Sequence, residues 1–164
     1  MLRDKNLVPL SRQHQHALAL CVRIGRASPI ADSDLSAWQG EMAQQFRAEI
    51  AIHFRAEEQV LFPAARAFAE LSPLMEELLA DHAWLRDAFG KAEAHMLYAP
   101  DVTAFARRLS EHIRKEERQL FEELQRLISP EDFAVIGTRL DEALKEANES
   151  CVLPSDATQL RPAK

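Results

Sequence analysis

Glycine is scarce in this 164-residue chain, with four in all, and cysteine is scarcer, with two. Few glycines against an abundance of Ala, Leu, Glu, Gln and Arg favour helix. The cysteines are Cys21, inside a helical pattern, and Cys151, in a polar tail. They do not form the framework of a disulfide-stapled fold. No apolar run approaches the ~18 residues that a membrane span needs. Basic excess is also missing. The net charge is -6, and there is no long basic run and no groove-reading fingerprint, which argues against nucleic acid as a partner. Met1-Leu2-Arg3-Asp4-Lys5 carries charge with no apolar core behind it, so no secretory signal is read and the cytoplasm is the expected compartment. No Ser/His/Asp or Cys/His nucleophile is apparent. The length suits one domain with a real core.

What the chain does have is a repeated decapeptide. His53-Phe54-Arg55-Ala56-Glu57-Glu58-Gln59-Val60-Leu61-Phe62 returns as His112-Ile113-Arg114-Lys115-Glu116-Glu117-Arg118-Gln119-Leu120-Phe121, identical at six of ten positions. Both copies lie in helical sequence and place a histidine four residues before a glutamate. At about 100° per residue, His53 and Glu57 project from one face, as do His112 and Glu116. Each pair is a two-ligand arm for a borderline metal ion.

The punctuation of the chain predicts five helices. Ser11 is the expected N-cap of a first helix to about Ala27, stopped by Ser28-Pro29. A second starts near Ser33 or Asp34 and runs past His53 and Glu57 to Pro63, which must kink or end it, with a short helical piece over 64–71. Ser72-Pro73 opens a third, to about Leu97. Asp101 caps a fourth, to about Ile128. Ser129-Pro130 opens a fifth, to about Ala147. Short links make sequential helices antiparallel neighbours. The expected fold is all-α: an up-down-up-down four-helix bundle over residues 1–147, including the short fifth helix, followed by a loose polar tail over 148–164.

Six histidines occur. Four fall in phase with the apolar rows of four different helices: His14, His53, His82 and His112. His16 lies about 200° round from His14, beside Arg12 and Arg23, and reads as solvated, although it remains the alternative first-helix ligand. His95 has no assigned role. One histidine on an apolar face is ordinarily a core residue, and a helical glutamate ordinarily faces water. Glu58 and Glu117 fit that reading, turned about 140° from their histidines. Glu57 and Glu116 do not, because they lie beside Val60, Leu61 and Leu120, where an unpaired carboxylate is costly. Four core-facing histidines and two core-facing glutamates point to shared ions. If both carboxylates bridge two ions, each ion receives two imidazoles and two carboxylate oxygens. A bridging water or hydroxide makes five ligands, leaving one position of a six-coordinate ion for a diatomic or peroxide. Glu49 and Asp81 are candidates to hold the outer N–H of an imidazole. Mixed His/carboxylate sites accept Fe, Mn, Zn or Co.

These residues resemble the hemerythrin family, in particular its HHE cation-binding branch, over roughly residues 8–128. The resemblance rests on Ser11-Arg12-Gln13-His14, on His53-x-x-x-Glu57-Glu58-x-x-Leu61-Phe62-Pro63, on Asp81-His82, and on His112-x-x-x-Glu116-Glu117-x-x-Leu120-Phe121. It implies a four-helix bundle around a non-haem di-iron centre. His14, His53, His82 and His112 would be terminal ligands, and Glu57 and Glu116 the bridges. Oxygen carriers of the family have a fifth histidine where this chain has Arg86, and their fourth-helix motif usually ends in Asp. The four-His, two-Glu set is more similar to the branch that includes iron–sulfur-centre repair proteins and an iron-sensing domain of a ubiquitin-ligase subunit. This argues against reversible oxygen carriage. The repair proteins carry an extra N-terminal domain, for which this chain has no room. Arg86 is expected to snorkel outward, or to shield the open position or bond a bridging carboxylate.

Three functions follow as expectations. The first is a module that binds or senses oxygen, nitric oxide, peroxide or iron. The second is a di-iron oxidoreductase acting in peroxide or nitric oxide reduction, ferrous oxidation or iron–sulfur repair. The third is a plain bundle with vestigial ligands. Trp84, opposite His82, is expected to be covered by the fifth helix or by a second subunit in a homodimer.

Overall fold

A computed structural model describes residues 2–145 together with Ala157 and Leu160. Among these residues there are five runs of helix and no strand. We label them α1 (Val8–Ala27), α2 (residues 32–65), α3 (Ser72–Glu93), α4 (residues 99–127) and α5 (Pro130–Ala143). Helix α1 packs on α2, α2 on α3, α3 on α4, and α4 closes the ring on α1. This is the expected four-helix bundle. Helix α5 lies against α2 over residues 51–61.

The helix starts follow local chemistry, with three shifts from expectation. Proline in the first turn begins α1 at Val8, since its fixed φ suits that turn and its missing N–H costs nothing there. Ser11 is therefore inside the helix, its N–H bonded to the Leu7 carbonyl, and not the cap. Likewise Ser72 is the first residue of α3, preceded by a 3₁₀ turn at Ala69–Leu71. Asp101 acts from the third position of α4, its carboxylate accepting the Tyr98 N–H at 2.9 Å. Ser129 caps α5 as expected, accepting the Asp132 N–H at 3.1 Å.

Helix α3 stops at Glu93, short of Leu97. The Met96 N–H bonds the Lys91 carbonyl and the His95 N–H that of Ala92, a Schellman closure. His95 takes the left-handed position, with φ 55°. The buried Gln39 amide oxygen then accepts the Leu97 N–H at 2.9 Å and ties this turn to α2.

Helices α2 and α4 are not uniform. Each contains a π turn beginning at the first glutamate of its decapeptide, Glu57–Leu61 and Glu116–Leu120, and α2 has another at Phe46–Ile50. Pro63 follows one of these turns and α2 continues to Ala65. The matching turn in α4 precedes no proline, so the shared motif and not Pro63 marks the site. A π turn brings residues five apart over one another. Phe62 and Phe121, five after their glutamates, are thereby buried at 1 % and 0 % exposure.

The core has two apolar halves. One gathers Leu20, Ile24, Trp38, Met42, Phe54, Leu85, Phe89, Phe105 and Leu109. The other gathers Leu7, Leu10, Leu61, Phe62, Met75, Leu78, Leu120 and Phe121 with Phe133 and Leu140 of α5. Along α1, α3 and α4 the switch from one half to the other falls at His14, His82 and Glu116. A polar layer therefore crosses the bundle between them. Ala157 is buried in the first half and Leu160 packs against it; the rest of the tail over 148–164, Cys151 included, lies outside the described residues. Cys21 is a free, buried thiol. Trp84 is exposed, with the Arg108 guanidinium 5.0 Å from its ring centre. No described helix is long and apolar enough to cross a membrane.

Candidate metal centre

The layer brings together every residue singled out as a ligand. His14, His53, Glu57, His82, His112 and Glu116 are all buried, none above 4 % exposure. They form two overlapping groups: His14 and His53 with Glu57 and Glu116, and His82 and His112 with the same glutamates. Within each group the donor atoms lie within 4.8 Å of one another. His16 stays outside, exposed and paired with Glu49 at 2.9 Å.

The glutamates face both ways. Glu57 presents Oε1 to His53 at 3.3 Å and Oε2 to His82 at 3.4 Å. Glu116 presents Oε2 to His14 at 3.2 Å and Oε1 to His112 at 3.0 Å. Each carboxylate thus offers one oxygen to each histidine pair.

The imidazoles all turn Nε2 inward. His14 and His53 meet Nε2 to Nε2 at 3.0 Å, and His82 and His112 at 3.2 Å. Their outer nitrogens face acceptors. His14 Nδ1 is 2.7 Å from Glu117, His53 Nδ1 2.8 Å from the Gln13 amide oxygen, and His82 Nδ1 2.7 Å from Glu58. His112 Nδ1 faces Asp81 at a longer 3.5 Å. With Nδ1 donating outward, as it does in His14, His53 and His82, a neutral ring aims its Nε2 lone pair into the layer, while His112 Nδ1 makes no hydrogen bond. Two such lone pairs at 3 Å repel unless a proton or a cation lies between them.

A metal fits this demand. All four oxygens of Glu57 and Glu116 are buried without a hydrogen-bond donor, which is costly unless a cation satisfies them. Burial disfavours charge on His14, yet the Glu116 and Glu117 carboxylates outweigh it and raise its pKa to about 9. The same contest raises His82 to about 11 through Glu116, Glu57 and Glu58. Burial and Glu116 oppose ionisation of Glu57, but the neighbouring imidazoles prevail and hold it below its usual value. The layer is a strongly cation-seeking field, and its imidazole and carboxylate donors suit first-row ions such as iron, manganese or zinc.

Sequence phase missed three residues, one of them Gln13, whose amide oxygen holds His53. Glu58 and Glu117, read as water-facing, each hold the histidine of a neighbouring helix. Glu58 and Phe62 both engage His82, the phenyl ring stacked at 5.4 Å. Glu117 and Phe121 both engage His14, stacked at 5.6 Å. The repeat is therefore one device used twice: a histidine, an inward glutamate, and a glutamate and phenylalanine that fix the next helix's imidazole. Outer cations clamp the second glutamates, Arg86 to Glu58 at 2.8 Å and Arg3 to Glu117 at 2.6 Å. Arg86 thus bonds neither Glu57 nor Glu116, and its guanidinium lies over Phe54. Glu58 is held down to about 2, mainly by its hydrogen bond to His82. Asp81 does not bond the adjacent His82; its carboxylate faces His112 Nδ1 at 3.5 Å without a hydrogen bond and is itself clamped by Arg108 and Lys115. Glu49 binds His16 and Gln45 instead.

Beside the layer is a cavity of about 10 Å3, close to the volume one water-sized guest needs. Gln13, His14, His53, His112 and Glu116 supply its polar side, with Glu49. Ala17, Ile50, Phe54, Leu109 and Ile113 supply its apolar walls.

Neither a curated protein nor a solved structure matches the chain. The family model described as the hemerythrin HHE cation binding domain matches residues 8–124, which spans the whole polar layer. The chain belongs to the hemerythrin HHE cation binding domain family.

Proposed function

We propose that this protein holds two iron ions in its polar layer and binds oxygen, nitric oxide or peroxide beside them as a binding or sensing module. One observation carries the reading: Glu57 and Glu116 each offer one oxygen to each histidine pair. A carboxylate serving a single ion has no need of that arrangement. His14 and His53 would hold one ion, His82 and His112 the other, and the two glutamates would be shared. When bound, iron supplies the one-electron chemistry that amino-acid side chains lack.

The residues around the layer have three further tasks. Glu117, Gln13 and Glu58 fix the imidazoles of His14, His53 and His82 with Nε2 inward, and the Asp81 carboxylate faces His112. Phe54, Phe62 and Phe121 stack on the rings and keep water from them. The small cavity, about the volume of one water-sized guest, opens beside the layer, and its apolar walls suit an uncharged molecule.

The test is anaerobic purification, an iron count, and addition of oxygen, peroxide or nitric oxide with the optical spectrum recorded. A stable adduct at the iron-loaded centre is expected. Turnover of the added oxidant would replace the module with an oxidoreductase. Absence of iron, with thermal stability unmoved by ferrous ion, would refute the reading.

A further inference from the structure

The decapeptide repeat makes the two halves of the layer look alike, but the atoms behind their imidazoles differ. In one half, His82 faces the Glu58 carboxylate at 2.7 Å and His112 faces Asp81 at 3.5 Å. In the other, His14 faces the Glu117 carboxylate at 2.7 Å, whereas His53 faces the neutral amide oxygen of Gln13 at 2.8 Å. An imidazole whose outer N–H points at a carboxylate is the more electron-rich donor, and losing such a partner typically weakens metal affinity about 10- to 100-fold. One half therefore has a carboxylate behind both imidazoles, the one behind His112 in ion-pair and not hydrogen-bond contact, and the other half has a carboxylate behind one. The cations behind the carboxylates, Arg86, Arg108, Lys115 and Arg3, act in the opposite sense. They are farther from the layer and reach solvent, so their field is screened, while the carboxylates lie next to the imidazoles, hydrogen-bonded to His14 and His82 and at ion-pair distance from His112.

We propose that the two halves load in order, the His82/His112 half before the His14/His53 half, and that Gln13 sets this order. The inference rests on the two-ion reading above. Gln13 is a positioning residue: it touches no ion and acts through His53. Its neutral amide still fixes the ring, so the second ion is bound in the right geometry but less tightly.

The experiment is anaerobic calorimetric titration of the metal-stripped full chain with ferrous ion. Repulsion between two bridged cations splits the isotherm even for equivalent halves, so the split alone is not the test. The test is which step each variant moves. Gln13→Glu is expected to tighten the weaker step by about tenfold or more and leave the tighter step in place. Gln13→Leu, which removes the acceptor, is expected to weaken the same step. Glu58→Gln is expected to weaken the tighter step. A merely structural role for Gln13 would not send Glu and Leu variants in opposite directions, and circular dichroism of each variant shows that the helices are intact. The ordering is overturned if Gln13→Glu tightens the first step, if it moves neither, or if Glu58→Gln acts on the second. A wild-type chain that takes up no ferrous ion at all fails at the two-ion reading itself.

Discussion

Glu57 and Glu58 are adjacent, as are Glu116 and Glu117, and one step along the helix separates two tasks. The first of each pair has both oxygens in the layer; the second reaches sideways to a neighbouring helix's histidine. Removing that sideways charge is expected to weaken the site without unfolding the bundle. Glu117→Gln keeps the shape while taking the carboxylate from His14, and iron affinity is expected to fall about 10- to 100-fold, read by competition with a chelator. Unchanged affinity would mean that His14 does not depend on this partner. The inward residues were legible because helical phase reports how a residue points relative to its own apolar row. Glu58 and Glu117 were not, since phase says nothing of which neighbouring helix stands beside the polar face. Cys21 gives a separate test of burial. Its thiol is pushed up to about 12 by its apolar surroundings. The unfolded chain gives up this proton near pH 9, while the folded chain keeps it to about 12, so the unfolded state binds fewer protons in that window and stability falls as pH rises through it. The denaturant midpoint of the wild type is expected to drop more steeply between pH 8 and 11 than that of Cys21→Ala. Parallel slopes would contradict the burial argument.

At the scale of the element, the decapeptide is a helix with an inserted turn. The i, i+4 spacing that aligns His53 with Glu57 holds up to the glutamate, and the π turn then carries Phe62 back over the core. Composition and punctuation gave the five helices. The π turns left no such trace, because their residues have ordinary helix propensity and the turn is stabilised by what it aligns. Similarly, the end of α3 was misplaced because a left-handed histidine closes it where a glycine would have announced the stop. Helix α5 makes a further claim. A Cβ on Gly137 would lie 2.2 Å from Asn6 Oδ1 and 2.7 Å from Asn6 Cβ. The segment before α1, whose Arg3 clamps Glu117, thus passes α5 where there is no side chain. Gly137→Ala is expected to cost about 1–3 kcal/mol of stability by overpacking, despite alanine's better helix propensity, measured by urea unfolding. A neutral or stabilised variant would show that Asn6 moves aside freely.

For the whole molecule, the layer has a price in the absence of a cation: buried imidazoles and carboxylates interrupt what would otherwise be one apolar core. Four helices converge on it, so ion binding and folding are linked. The bundle and its ring of ligands could be foreseen from periodicity, because metal-facing positions obey the same spacing as core-facing ones. Sharing of Glu57 and Glu116 was expected too; what sequence could not supply was which histidines pair in the convergence on them, His14 with His53 and His82 with His112, a property of helix crossing and not of any one helix. That convergence is measured most directly by iron content per chain after anaerobic reconstitution and removal of loose metal, in the wild type and in the Glu57→Gln/Glu116→Gln double variant. Two iron ions per wild-type chain, with the double variant holding neither firmly, is the predicted result. A wild type with one ion or none, or a double variant that still keeps two, would contradict a centre joined by these glutamates.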